Sequence, residues 1–435
     1  METKSVVFLI VLLITLGVFF WSARRIMLFF RLTRPAFPVR NLGQRLSLTL
    51  KVALGQQKIF RLPVAGILHA LVFWGFLVIT IGSVEMVIDG LTGSERILGH
   101  LGWFYTLISA SGDVFAFVVL FSVLVFLVRR LFLRIRRFYG IEMKKISKVD
   151  ATFALLIISF LMISLIVMNV GYLAVTEGYA VGTYPLSALL LPLVENGNPH
   201  FLHVLHETGW WAHILLIFLF ANILPYSKHF HVFMSIPNVF LSRLEPLGHL
   251  PNMEAVMHEV RLMLNPDALV PVLEGEPGRF GVKDAEDVNW KNYADALTCT
   301  ECGRCTAVCP ANITGKKLSP RKIFVDLRAR MKEKGPGLLK EGKAYTDGKS
   351  LLGDYITPEE LWACTTCNAC AQECPLNINH PTLIVDMRRY LVMEEAAAPS
   401  GLNMMFTNIE NNGAPWQFSP QDRLKWAEGL SMNLN

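Results

Sequence analysis

No cysteine occurs before residue 299 or after residue 374 of this 435-residue chain. All eight lie in between, so no disulfide framework of the small secreted kind runs through it. Charge is scarce as well. Asp, Glu, Lys and Arg make up 17% of the residues against 52% hydrophobic, and the mean hydropathy is +0.40. That excludes an ordinary soluble protein. Acids are missing from Arg24 to Arg61, and bases are missing from 176–206. No P-loop, Gly-x-Gly-x-x-Gly fingerprint or nucleophile triad is present, so nothing points to nucleotide or acyl-transfer chemistry. The net charge of +6 is no nucleic-acid signature, because the basic residues cluster beside apolar runs.

The cysteines that are present form two copies of one pattern. Cys299, Cys302, Cys305 and Cys309 read C-x2-C-x2-C-x3-C-P and end at Pro310. Cys364, Cys367, Cys370 and Cys374 repeat it and end at Pro375. This is the spacing of a two-cluster bacterial ferredoxin, in which the fourth cysteine of each run ligates the other cluster. One 4Fe–4S cluster is therefore expected on Cys299, Cys302, Cys305 and Cys374, and a second on Cys364, Cys367, Cys370 and Cys309. Thiolate is a soft donor that suits iron. Zinc ribbons would use paired C-x2-C knuckles, without a third and fourth cysteine at fixed offsets. Reduced thiolates also imply a cytoplasmic setting for this segment.

Five apolar stretches, approximately 5–23, 64–88, 104–128, 151–175 and 207–226, are long enough to cross a bilayer. The segment Arg24–Arg61 carries nine Lys/Arg, and Arg129–Lys148 carries eight. The loop 89–103 has only Arg96. By the positive-inside rule the two basic loops are cytoplasmic, the N-terminus is outside, and everything after about residue 227 is inside. The first span has its arginines on the wrong flank for a cleaved leader and is expected to be retained. Segment 41–62 is expected on the inner membrane surface. Trp210 and Trp211 are expected in an aromatic belt at the outer end of span five.

Ionisable groups inside spans are uncommon and usually functional. His69 lies early in span two; His206 and His213 lie in span five, with His229 and His231 just beyond Pro225. Imidazole is a standard axial ligand of haem iron. Opposite span directions put His69 and His231 at similar depth, where two helices can clamp one b-type haem. His213 and His231 are five turns apart and share a face if the helix continues through Pro225. No histidine stands opposite His213. An interhelical hydrogen bond is the plainer role for any of these. Glu85, Asp113, His206 and Glu207 are candidates for moving protons at a quinone. His200, His203 and His206, near the outer surface, read more readily as loop residues.

Five spans starting outside, His69 in GILHALVFWGF, and His213 and His231 around LPYSKHFHVF resemble the nitrate reductase gamma subunit. That resemblance, over about 1–240, implies a quinol-oxidising cytochrome b with haem ligands at His69, His213 and His231. The position of its fourth ligand is Ile79 here. The stretch FGVKDAEDVNWKNYADALTCTECGRCTAVCPANITGKKLSPRK resembles the ferredoxin entry of membrane oxidoreductases related to heterodisulfide reductase. The resemblance implies electron exchange between menaquinone and either electron-transferring flavoprotein or a cysteine-rich CCG domain. No CCG cysteines follow Cys374, so a separate subunit is expected to supply that domain.

The expected fold is an all-α membrane bundle with a mainly helical two-cluster ferredoxin-like domain. Its expected divisions are 1–230 membrane domain, 231–284 connector, 285–395 ferredoxin domain and 396–435 an irregular tail. A helix over 252–264 carries an apolar stripe at Met253, Val256, Met257 and Val260, expected in a core. Ser319 and Pro320 start a helix over 319–334, and 335–353 is expected as an exposed loop. Turns are expected at GEPGRFG, 275–281. Arg304, Lys316, Lys317, Arg321 and Lys322 are candidates for guiding an acidic partner. The function expected is quinone-linked electron transfer in the cytoplasmic membrane. Its competitors are a haem-free membrane-anchored iron–sulfur adaptor and an iron–sulfur sensor, for which no output domain is present.

Overall fold

The computed structural model describes residues 3–140, 142–266, 279–342 and 344–430. Among them there is no strand, only the isolated bridges Arg34–Asn289 and Leu352–Ile356. The chain begins with α1 (Thr3–Phe30), α2 (Leu42–Thr49), α3 (Pro63–Thr92), α4 (Trp103–Phe132), α5 (Lys145–Val175), α6 (Pro199–Ile223) and α7 (His231–Phe240). Then come α8 (Glu254–Leu264) and α9 (Trp290–Thr298), followed by shorter helices and a long one, Pro320–Glu341. Helices α1, α3, α4, α5 and α6 are long and apolar enough to cross a membrane. Pro63 and Pro199 each occupy a first helical turn, where a missing N–H is harmless.

The spans pack through small residues, as membrane helices do. A Cβ on Gly171 of α5 would meet the backbone of His206 at 2.8 Å, and one on Gly209 of α6 would meet that of Met168 at 2.6 Å. The two helices therefore touch backbone to backbone. Phe8 of α1 packs on Trp210 with ring centroids 5.6 Å apart.

Several expectations change here. The last span starts at Pro199, so His200, His203 and His206 are helical rather than in a loop. Trp210 lies mid-helix and buried rather than in an end belt, because Phe8 covers it. The helix does not continue through Pro225. It tightens into a 3-10 turn at Leu224–Tyr226 and breaks at Ser227 before α7 begins. His213 and His231 thus share no continuous helix face. The helix from Pro320 runs on through Gly335, Pro336 and Gly337 to Glu341 rather than giving way to a loop. A Cβ at 335 would sit 2.7 Å from Phe29, so the glycine serves close packing there rather than a turn.

Two compact units result, Met1–His249 with Asp284–Pro381, and Leu250–Lys283 with Thr382–Asn435. They do not follow the sequence divisions, since the ferredoxin cysteines cluster with the membrane helices. In the second unit the tail holds a helix, Ser400–Asn412, rather than being irregular throughout. Val260 is exposed, and Met253, Val256 and Met257 are only half-buried, so the α8 stripe is not core. Residues 275–278 of the GEPGRFG segment lie outside the described residues.

Candidate functional site

The two cysteine loops have one conformation. Glu301 and Gly303 in the first have φ of 58° and 73°, and Thr366 and Asn368, the same positions in the second, have 53° and 61°. Alternating left-handed residues turn successive N–H groups into one concavity, the kind of nest that Fe–S sites use. Glycine and asparagine tolerate that conformation; Glu301 and Thr366 are held in it against local preference.

The runs interleave in space. Cys299, Cys302, Cys305 and Cys374 line one cavity, with Arg304, Arg321 and His380. Cys370 is electrostatically coupled to Cys364, Cys309 and Cys367. Burial pushes the free thiols up, Cys299 to about 11 and Cys370 and Cys374 to about 12. They stay neutral at ordinary pH until a metal displaces their protons. Four cysteines around one cavity and a second group of four around Cys370 are the donor set that two four-iron clusters require. The first run is mostly buried, whereas Cys367 is exposed.

The basic loops between the spans are the seat of the cysteine loops. Lys58 donates to the carbonyls of Ala371 and Cys374, while Arg304 donates to those of Lys58 and Ile59 at 2.7 and 3.0 Å. Arg321 donates to Glu142 and to the Arg137 carbonyl, each at 2.7 Å. Glu301 pairs with Arg328, Lys228 and Ser147. Burial alone would raise its carboxyl, but Arg328 and Lys228 hold it below the usual range. Arg34 exchanges backbone hydrogen bonds with Val288 and Trp290 and pairs with Asp287. Arg304, Arg321 and Lys322 are thus spent inside the fold rather than guiding a partner. Lys317 is exposed and paired with Glu359; Lys316 is exposed.

His69 and His231, at the end of the bundle nearer the cysteine loops, lie within electrostatic reach of one another. The buried Nδ1 of His69 has no hydrogen-bond partner. Arg304, beside Cys305, also lies within electrostatic reach of His69. His231 places its Nδ1 3.3 Å from the Lys228 carbonyl, and His229 turns to Ser227 and Asp150. A nitrogen oriented by a backbone carbonyl leaves the other free for a metal.

A second, partly open cavity lies toward the other end of α3–α6. Glu85, Arg96, Tyr105, Asp113, Asn169 and His213 line it, with Ile79. His213 holds its Nδ1 2.9 Å from the Leu161 carbonyl and 3.2 Å from Ser164 Oγ. Asp113 accepts from Leu186 N at 2.7 Å, Ser187 N at 3.0 Å, Ser187 Oγ and Asn169 Nδ2, which ties down the segment after α5. Glu85 accepts from Leu98 N and Tyr105 OH. Glu207 does not line the cavity; it pairs with Lys4 at 2.7 Å. Arg96, unremarked in sequence beyond its role in topology, reaches Asn169 at 3.2 Å and stacks over Tyr172 and Tyr184. At Gly82 and Gly112, both in the cavity wall, a Cβ would meet nothing within 4 Å.

The model of the 4Fe-4S dicluster domain matches residues 298–378. The chain is 28% identical over 403 residues to a Bacillus subtilis protein named probable iron-sulfur-binding oxidoreductase FadF, covering 86% of this chain and 54% of that protein. It is 29% identical over 410 residues to the EtfAB:quinone oxidoreductase of Syntrophomonas wolfei, covering 89% and 54%. A probable membrane-anchored ferredoxin of Chromohalobacter salexigens is 34% identical over 185 residues, 37% of this chain and 26% of that one. The chain thus spans about half the length of its first two curated relatives. No solved structure matches. An iron–sulfur, membrane-anchored protein of oxidoreductase kinship is what these likenesses carry.

Proposed function

We propose that this chain is a membrane oxidoreductase subunit relaying single electrons between menaquinone and a soluble partner, by way of a haem b and two 4Fe–4S clusters. The observation that carries the reading is the position of His69. His231 and Arg304, the neighbour of Cys305, both lie within electrostatic reach of it. An imidazole pair thus adjoins the first cysteine loop. His69 and His231 would hold the haem, and the two crossed cysteine sets would hold the clusters. Haem and clusters supply one-electron carriers to a reaction in which quinol gives or takes two.

The chain's own residues do the rest. Arg304 and Arg321 fix the first cysteine loop against the bundle, and Lys58 fixes the end of the second at Cys374. Exposed Thr365, Thr366 and Cys367 leave the second loop open to a partner. The S. wolfei relative, named for a flavoprotein and a quinone, supports an electron-transferring flavoprotein at that end; a CCG-domain subunit fits the same place. At the far end the α3–α6 cavity is the quinone-ring site, with His213 and Glu85 as its polar contacts. Asp113 is occupied by its four donors and acts as a structural anchor. Basic loops on the ferredoxin side orient the chain in the cytoplasmic membrane with the cysteines inside.

The test is a dithionite-reduced absorption spectrum of the purified protein. A b-type alpha band is expected in the wild type. It should vanish in His69→Ala and His231→Ala while iron and sulfide content persists. A wild type without the band leaves only the haem-free adaptor.

A further inference from the structure

His206 and Glu95 meet at the end of the bundle opposite the cysteine loops. His206 Nε2 lies 3.2 Å from Glu95 Oε1; the histidine side chain is 10% exposed and the glutamate 62%. His206 Nδ1 lies 3.1 Å from the carbonyl of Met168, a group that can only accept. That fixes the tautomer: Nδ1 carries a proton. The contact of Nε2 with a carboxylate oxygen then needs one more proton between them. The pair therefore stores a single exchangeable proton, with its imidazole inside the protein and its carboxylate in solvent. The hydrogen bond from His206 holds the Glu95 carboxyl below its usual range.

The pair is built into the fold. Gly171 and Gly209 let α5 and α6 approach until His206 reaches the Met168 carbonyl. On the other side Asp89 accepts from Ser94 Oγ, Arg96 N and Ile97 N, and Glu85 accepts from Leu98 N. Two acids of α3 thereby pin the loop that presents Glu95. Met168 and Arg96, the neighbours of the pair, both line the α3–α6 cavity. Tyr172 lies between them, 5.8 Å from the His206 ring and 4.8 Å from the Arg96 guanidinium. Lys4 also lies within electrostatic reach of Glu95 and is itself paired with Glu207.

We propose that His206 and Glu95 form the proton outlet of the quinone cavity, on the membrane face opposite the ferredoxin. The proposal rests on the quinone reading above. When a quinol is oxidised, its two O–H bonds break, two electrons leave singly toward the cysteine loops, and two protons must leave separately. Glu95 passes the proton of the pair to water, and the neutral imidazole takes the next one from the cavity. Two such cycles complete one quinol; quinone reduction runs them in reverse. Electrons and protons then part in opposite directions, so turnover moves charge across the membrane.

The experiment mixes the full-length protein in lipid nanodiscs with menadiol and follows bleaching of the cluster absorbance. Glu95→Gln and His206→Gln should each slow this reduction by about 10²-fold, the scale of a lost acid–base group. Glu95→Asp should retain most of the rate. Reduction by dithionite, which needs no proton outlet, should be unchanged in all three, as a purely structural role would not predict. Wild type that menadiol reduces no faster than either Gln variant overturns the outlet alone. Wild type that menadiol does not reduce at all overturns the quinone reading and the outlet with it.

Discussion

The Lys58 ammonium donates to the carbonyl oxygen of Cys374 across 3.2 Å, joining the loop between the first two spans to the last cysteine of the second run. Because Cys374 shares its cavity with Cys299, Cys302 and Cys305, that one lysine ties the fourth cysteine of the cavity to the loop between the spans. The basic loops between the spans thus also hold the cysteine loops.

The strongest mount is the buried pair of Arg321 and Glu142, each under a tenth exposed. Arg321→Met strands a buried carboxylate, a change worth about 3–5 kcal/mol. On heating, the cluster absorbance should bleach at a clearly lower temperature than in wild type. Arg321→Met combined with Glu142→Leu should recover most of the loss. A single variant as stable as wild type would refute the seat.

The crossed ligation proposed above predicts that Cys374→Ser changes the first cluster, not the second. Electron paramagnetic resonance should show the signal of the cluster on Cys299, Cys302 and Cys305 altered or lost, with its neighbour retained. An alteration confined to the other signal contradicts the crossing.

Gly112→Leu should fill the cavity of α3–α6 without a clash, since a Cβ there meets no atom within 4 Å. Cluster reduction by menadiol should fall at least tenfold, with expression and haem content normal. Gly17→Leu, equally free of neighbours but on α1 away from the cavity, is the control and should reduce as wild type does. Equal rates in both variants would remove the cavity as the quinone site.

Asp284 gives a pH dependence with a defined sign. Burial raises its carboxyl, but Arg330 and Lys334 outweigh that and hold it below the ordinary 3.8. A depressed carboxyl contributes stability that is complete above the ordinary value and lost as pH falls through the folded one. Asp284→Asn should therefore lower the melting temperature at pH 7 and flatten its decline below about pH 4. An unchanged acid profile would assign that decline to other groups.

The cysteine runs and the five spans were legible in sequence because both signals are local: ligand spacing within a dozen residues, and apolar length. Opposite span directions put His69 and His231 at similar depth, and the two lie within electrostatic reach of one another. The five-turn phase from His213 was not a guide, since Pro225 and Ser227 end the helix between them. Trp210 and Gly335 were misread for one reason. Each answers to an α1 side chain, Phe8 or Phe29, remote in the chain. Glu95 carried no sequence signal at all; its role depends on a loop that Asp89 folds back over α6.

The order of the chain gives the docking seat a further consequence. Arg34, Lys58, Arg137, Glu142 and Ser147 all precede Cys299, so the ribosome completes the cradle before the first cysteine emerges. The residues that hold the cysteine loops are thus available before the cysteines themselves. A chain stalled in insertion would leave its cysteines without a mould, exposed to oxidation and proteolysis before any iron reaches them.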